Sequence, residues 1–370
     1  MQTSKSDAIR LPELDLLRFI AAFAVTLYHY VSSYVSATDL ERSGLAGLSA
    51  MTRYGYLGVD LFFIISGFVI LWSSLGRGPV QFVISRVSRL YPSFWVGMAL
   101  TAICIALLSP LAPDVDTAPL DLRTLAANAT MVPSIFDARL IDGVYWTLEI
   151  EIRFYALIFL LLALRQMSRV EWWLYAWLAI AIAARLFHLP WIVDYFVLDP
   201  YGPFFAAGCL FYVLMSRGFS IARLLSLLVA AGASMWVSVT QRSQFITPDA
   251  LSAWVVPILV ATFFAAFAFI AIHRRDSTTG ASPIASQLGA LTYPLYLVHA
   301  IVGKLVYEAL APVLGVPARL TLICVLALGV AYVIAVTVDV PGRRALQRLL
   351  QQLVHRIGLA QPTSKANSPT

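Results

Sequence analysis

Charge is what this chain has least of. Only 12% of its 370 residues are Asp, Glu, Lys or Arg, and 60% are hydrophobic. Soluble domains carry about 25% charged residues, so the shortage excludes a fully solvated surface. Apolar stretches of about 20 residues, the length that crosses a bilayer, recur from end to end. Cysteine is also scarce. Cys104, Cys209 and Cys324 each lie in an apolar stretch, with no CxxC pair and no histidines at metal spacing. That pattern excludes a disulfide framework and points to no metal site, leaving the three as small packing residues. The first apolar run contains charges and lacks a small-residue cleavage site, so it reads as a retained membrane helix, not a secretory signal. Internal repeats, the mark of many transporters, are missing too.

What is present is a succession of helices. Ten spans are expected, near 13–34, 55–75, 91–110, 147–165, 171–188, 201–216, 222–240, 251–272, 286–310 and 320–340. The fold class is therefore an all-α polytopic membrane protein of about ten transmembrane helices. Basic residues accumulate before the first span, at Lys5 and Arg10, then in alternate connections, at Arg77, Arg86, Arg89, Arg165, Arg169, Arg217, Arg223, Arg274 and Arg275, and again from Arg343 onward. Acids mark the opposite connections, at Asp39, Glu41, Asp114, Asp116, Asp121, Asp137, Asp142, Asp194, Asp199 and Asp249, with only scattered arginines. By the positive-inside rule both termini are cytoplasmic. The net charge of +6 then reflects topology and anionic lipid, with no nucleic-acid partner implied. Residues 1–340 read as one membrane-embedded domain and 341–370 as a basic tail. Within the tail, GRRALQRLLQQLVHRI has basic and apolar faces at helical spacing and suits the inner membrane surface, and QPTSKANSPT reads as disordered. Segment 111–146, with a short amphipathic stretch around LRTLAANAT, is expected to fold over the outer mouth.

The polar residues inside these spans carry the chemistry. LDLLRFIAAFAVTLYHY includes Asp15, Arg18 and His29, although a central Arg or Asp costs roughly 2.5–3.5 kcal/mol on insertion scales. Eleven helical steps return to nearly the same angle, so Arg18 and His29 share a face, about 16 Å apart along the axis. Asp15, three residues before Arg18, joins them. The second span, GYLGVDLFFIISGFVI, places Asp60 about a turn in from the outer side, to orient an imidazole or to cap the span, with Ser66 deeper. In FVISRVSRLYPSFW, Arg86 and Arg89 stand at i,i+3 just before a span beginning near Pro92, a pairing suited to bidentate phosphate binding or to simple anchoring. In GVYWTLEIEIRFYAL, Glu149 reads as a solvated interface residue, and Glu151 as a base, or as a holder of a sugar hydroxyl or of His29. In LTYPLYLVHAIVGK, Pro294 is expected to bend the helix, and Tyr296 and His299 to be neighbours.

Together these segments resemble acyltransferase family 3, integral-membrane acyltransferases of bacterial glycans and related molecules. LDLLRFIAAFAVTLYH resembles the first-helix signature, an Arg followed by a His, and GYLGVDLFFIISGFVI the second-helix block. RVSRLYPSFW is similar to the R-x-x-R block, and WTLEIEIRFY to a block that aligns Glu151 with the family's Glu. FFAAGCLFY and LTYPLYLVH resemble later blocks, so the likeness runs from about residue 11 to 340. It implies a ten-helix bundle in the bacterial inner membrane with a pore joining a cytoplasmic acyl-CoA donor, probed first as acetyl-CoA, to an extracytoplasmic glycan or glycoside hydroxyl. It assigns catalysis to His29, Arg18 and Glu151, and the CoA phosphates to Arg86 and Arg89. Ser85 stands where the family often has another arginine, and the chain resembles the standalone branch without an esterase-like domain.

On this reading His29 is a general base or a nucleophile, and Tyr296 and Ser66 are oxyanion donors. Asp60 and His299 complete the substrate-facing set. No metal and no tightly bound cofactor is called for, only acyl-CoA as donor. Two other classes fit part of the pattern. A proton-coupled transporter would use Asp15, Arg18, Asp60 and His29 as a relay. A non-catalytic component of a glycan-biosynthesis complex would use the same residues for binding.

Overall fold

The computed structural model describes residues 11–273 and 282–357. Lys5, Arg10, Arg274, Arg275 and QPTSKANSPT, all used in the readings above, lie outside that range. The described residues contain no strand, and the long helices run in order as α1 (Pro12–Leu27), α2 (Gly58–Ser74), α3 (Pro79–Leu108), α4 (Trp146–Ala163), α5 (Val170–Phe187) and α6 (Gly202–Arg217). They continue as α7 (Ile221–Gln241), α8 (Ala250–His273), α9 (Pro283–Val298), α10 (Ala300–Ala309), α11 (Val316–Ile334) and α12 (Val340–Arg356). The chain is thus an all-α polytopic membrane protein.

Eight helical runs among the described residues are long and apolar enough to cross a membrane, nine if α9 and α10 form one span. The expected tenth, near 147–165, is helical as α4, but Glu149, Glu151 and Arg153 make it too polar to qualify by composition. Helix α3 begins at Pro79, not near residue 91, so Arg86 and Arg89 lie within it. The amphipathic stretch 122–129 is a short helix capped by the Asp121 side chain, which accepts from the Thr124 N–H. The basic stretch 340–356 is α12, packed against α3.

The site is positioned by two close helix crossings. Twelve consecutive residues of α6, Gly202 to Val213, are buried, because FFAAGCLFY is apolar all round. This central helix packs on α2 with the backbones nearly touching. A Cβ on Gly67 would fall 2.1 Å from the Phe205 carbonyl oxygen, and one on Gly208 2.0 Å from that of Ile64. Helix α1 packs on α9, where Gly289 leaves room for Asp15. Small residues at such crossings substitute for the hydrophobic drive that lipid does not supply.

The span α9–α10 bends by 64°, and the break falls at His299, not at Pro294, which stays inside α9. Side chains take over the backbone groups that a straight helix would pair. Tyr145 donates to the Leu297 carbonyl (2.9 Å) and Tyr34 to that of Ala300 (2.7 Å). His299 Nδ1 lies 2.9 Å from the Tyr296 carbonyl, and Asp142 Oδ2 accepts from the Ile301 N–H (3.1 Å). Those donors and acceptors serve backbone groups at the interruption of the ladder.

Candidate active site

Two cavities lie end to end along α1. The first, about 110 Å³, is lined by Arg18 from α1, Val59 and Ser66 from α2, Arg89 from α3, Thr147, Glu151 and Tyr155 from α4, and Thr292 and Tyr296 from α9. Glu151 Oε1 accepts from both Ser66 Oγ and Tyr155 OH, each at 2.7 Å. Arg18 Nη1 lies 3.2 Å from Asp15 Oδ1. One carboxylate held by two hydroxyls thus shares an apolar-walled chamber with two guanidiniums. Such a chamber binds a polyanion at the arginines while its walls hold an apolar group.

The second cavity, about 270 Å³, is lined by Tyr28, His29, Ser33 and Tyr34, by Tyr56 and Val59, by Asp142, and by Tyr296, Ile301 and Lys304 from the bent span. His29 lies in a π-helical turn, Tyr28–Ser33, and its Nδ1 lies 2.9 Å from the Val25 carbonyl oxygen. A carbonyl only accepts, so Nδ1 carries the proton of the neutral ring and Nε2 keeps the lone pair. The imidazole stands edge-on to Tyr28 (5.0 Å between centroids) and to His299 (5.1 Å). It is a base aimed by a backbone bond and packed between two rings.

The structure divides the residues singled out in the sequence. Arg18, Ser66, Arg89, Glu151 and Tyr296 line the first cavity, while His29 and Tyr296 line the second. Glu151 therefore meets arginines, not His29. Arg86 lines neither cavity. Its guanidinium lies over Phe82 (5.8 Å) and Tyr155 (6.0 Å), with Nη2 donating to Ser85 Oγ at 3.2 Å. His299 is fully buried behind His29, and Tyr296 is its neighbour at 5.4 Å between ring centroids. Asp60 orients no imidazole. Its Oδ2 accepts from Ser238 Oγ of α7 at 2.7 Å, which ties α2 to α7. Glu149, expected in solvent, is 5% exposed and accepts from both Ser134 and Arg153. Asp15 lines neither of these cavities, and packs against Gly289 while it pairs with Arg18.

Tyr155, Thr147, Asp142 and Lys304 escaped the sequence reading. Tyr155 was within reach, since i,i+4 spacing places it on the face of Glu151. For Asp142 and Lys304 no local signal exists, because the bend at His299 brings them to the cavity.

The acyltransferase domain family matches residues 11–336, almost the whole chain. The chain belongs to that family. Other members with partial likeness include the acyltransferase MdmB of Streptomyces mycarofaciens, 28% identical over 191 residues, which are 51% of this chain and 48% of that protein. The exopolysaccharide production protein ExoZ of Rhizobium meliloti (strain 1021) is 34% identical over 111 residues, 28% of this chain and 32% of that one. The chain thus spans about half or less of the relatives it matches. No solved structure matches it. The family's matched region takes in both cavities and α1 to α11, but stops short of α12.

Proposed function

We propose that the protein is a membrane acyltransferase that moves a short acyl group, acetyl first, from cytoplasmic acyl-CoA to a hydroxyl of an extracytoplasmic glycan or glycoside. The observation that carries this reading is the alignment of the two cavities: arginines and a carboxylate in one, and in the next a histidine with its Nε2 free to take a proton. The donor enters at the Arg18–Arg89 end, with Arg86 adding positive charge from behind Tyr155. The acceptor enters at the His29 end, beside Tyr34, Asp142 and Lys304. His29 Nε2 removes the proton of the acceptor hydroxyl, whose oxygen attacks the thioester carbonyl. The C–S bond breaks, and the CoA thiolate leaves with the proton that the imidazolium returns. Acyl-CoA is a substrate in this scheme, and no resident cofactor takes part. Membership of the acyltransferase family supports the reaction class, and the exopolysaccharide role in the name of one relative supports a glycan acceptor. The site of action is the bacterial inner membrane, alone or within a glycan-biosynthesis complex.

Purified protein given labelled acetyl-CoA and surface glycan tests this. His29→Ala is expected to lower transfer by about 10²–10⁴-fold, the usual contribution of a general base, with CoA binding retained. Arg89→Ala is expected to weaken CoA binding. Normal transfer by the His29→Ala protein, or no CoA binding by wild type, would overturn the reading.

A further inference from the structure

We infer that Tyr296 is a gate between the two cavities, and that the acyl group reaches His29 only when its ring moves aside. This rests on the acyl-transfer reading, in which a donor from one cavity must meet a base in the other. Only Val59 and Tyr296 line both cavities, so the partition is one side chain thick. Val59 sits in the first turn of α2, and its β-branched side chain is held to one strongly preferred rotamer. The tyrosine is the part that can move.

Its closed position is latched. Tyr296 OH lies 2.8 Å from Thr147 Oγ1, in the wall of the first cavity, and 3.1 Å from the Val144 carbonyl oxygen, in the wall of the second. Thr147 Oγ1 also donates to that carbonyl at 3.0 Å. One triad of polar atoms therefore closes the partition, with the Phe62 ring packed edge-on against Tyr296 at 5.7 Å. The latch belongs to the site's moving part. Tyr296 precedes by three residues the 64° break at His299, and its carbonyl is the one His299 Nδ1 meets. A substrate hydroxyl or thioester oxygen that offers Tyr296 a new partner replaces the latch bonds as the ring turns. Until then the partition keeps water in the second cavity from the thioester in the first.

The test is accessibility of a reporter thiol in sealed vesicles, with full-length protein and both membrane faces tried in turn. Thr292→Cys places a thiol in the first cavity, and Ser33→Cys places one in the second as a control. A small membrane-impermeant methanethiosulfonate is the probe, and protein without the added thiol is the blank. From the face that labels Ser33→Cys, Thr292→Cys is expected to react slowly when Tyr296 is intact. It should react at least about tenfold faster with Tyr296→Ala. Tyr296→Phe and Thr147→Val, which keep the packing and remove latch bonds, should give smaller increases, of roughly the factor expected for a lost hydrogen bond. Equal labelling rates across these proteins overturn the gate. If Tyr296→Ala does not fold, the Phe and Val variants decide. Labelling needs no acyl donor, so it stands or falls apart from the chemistry. In the companion measurement, Tyr296→Ala is expected to hydrolyse acetyl-CoA without acceptor, water attacking the carbonyl as CoA thiol leaves. Absence of acetyl transfer by wild type when the glycan acceptor is supplied counts against the acyl-transfer reading alone, while the labelling result still judges the partition.

Discussion

Asp142 illustrates how one side chain can hold a site open and be strained by it. It is fully buried in the connection before α4, where its two oxygens accept from the backbone N–H groups of Val144 and Ile301. The Ile301 bond caps the start of α10 and the Val144 bond the turn before α4, yet burial outweighs them and pushes the carboxyl up to about 6, from about 3.9 in an unfolded chain. Between those values the folded protein holds a proton that the unfolded chain has released. Stability from this group is thus complete below pH 4 and is lost as pH rises through 6, by about 2–3 kcal/mol in all. Melting in detergent from pH 4 to 7 should show wild type losing stability relative to Asp142→Asn across that window. Parallel curves would refute the assignment. At His29 a single backbone carbonyl chooses the tautomer.

At the scale of elements, the crossing of α1 and α9 places Arg18. A Cβ at Gly289 would fall 2.8 Å from Asp15 Cβ and 3.0 Å from its Cγ, so Gly289→Ala must displace Asp15 and, through their ion pair, Arg18. Overpacking of this kind costs typically about 1–3 kcal/mol, and here weaker CoA binding should accompany it. Asp15→Gly removes both contacting atoms, and the double variant is expected to lose less stability than the two single changes added together. A thermal-unfolding double-mutant cycle with strictly additive losses would show that the two residues do not meet. The Arg18–His29 alignment was legible in the sequence because helical periodicity is local. The latter half of that helix adds something periodicity did not predict: a π turn at Tyr28–Ser33, beginning just where the base sits. Likewise Pro294 was a sound signal for a weakened ladder, but the break came where Tyr34, Tyr145, His299 and Asp142 could serve the freed backbone groups.

For the whole molecule, the proposed transfer requires that the two cavities face opposite compartments. The arginine bias predicts both ends of the chain in the cytoplasm. A reporter active only in the cytoplasm should therefore work when fused after Thr370, and fail when inserted in the acidic segment 113–120. The reverse result would invert donor and acceptor sides. The sequence by itself determined the all-α membrane class, most of the helices and the shared face of Arg18 and His29, since hydrophobicity and periodicity act along a single segment. The tertiary structure decided what those residues meet. It buried Glu149 against Ser134 and Arg153, gave Asp60 to Ser238, set Arg86 behind Tyr155, and joined Glu151 to Ser66 and Tyr155. It also split one polar face into two cavities at Tyr296. Each of those outcomes depends on which helices become neighbours and at what depth, and that choice is made by the close backbone crossings at Gly67, Gly208 and Gly289 together with the bend at His299.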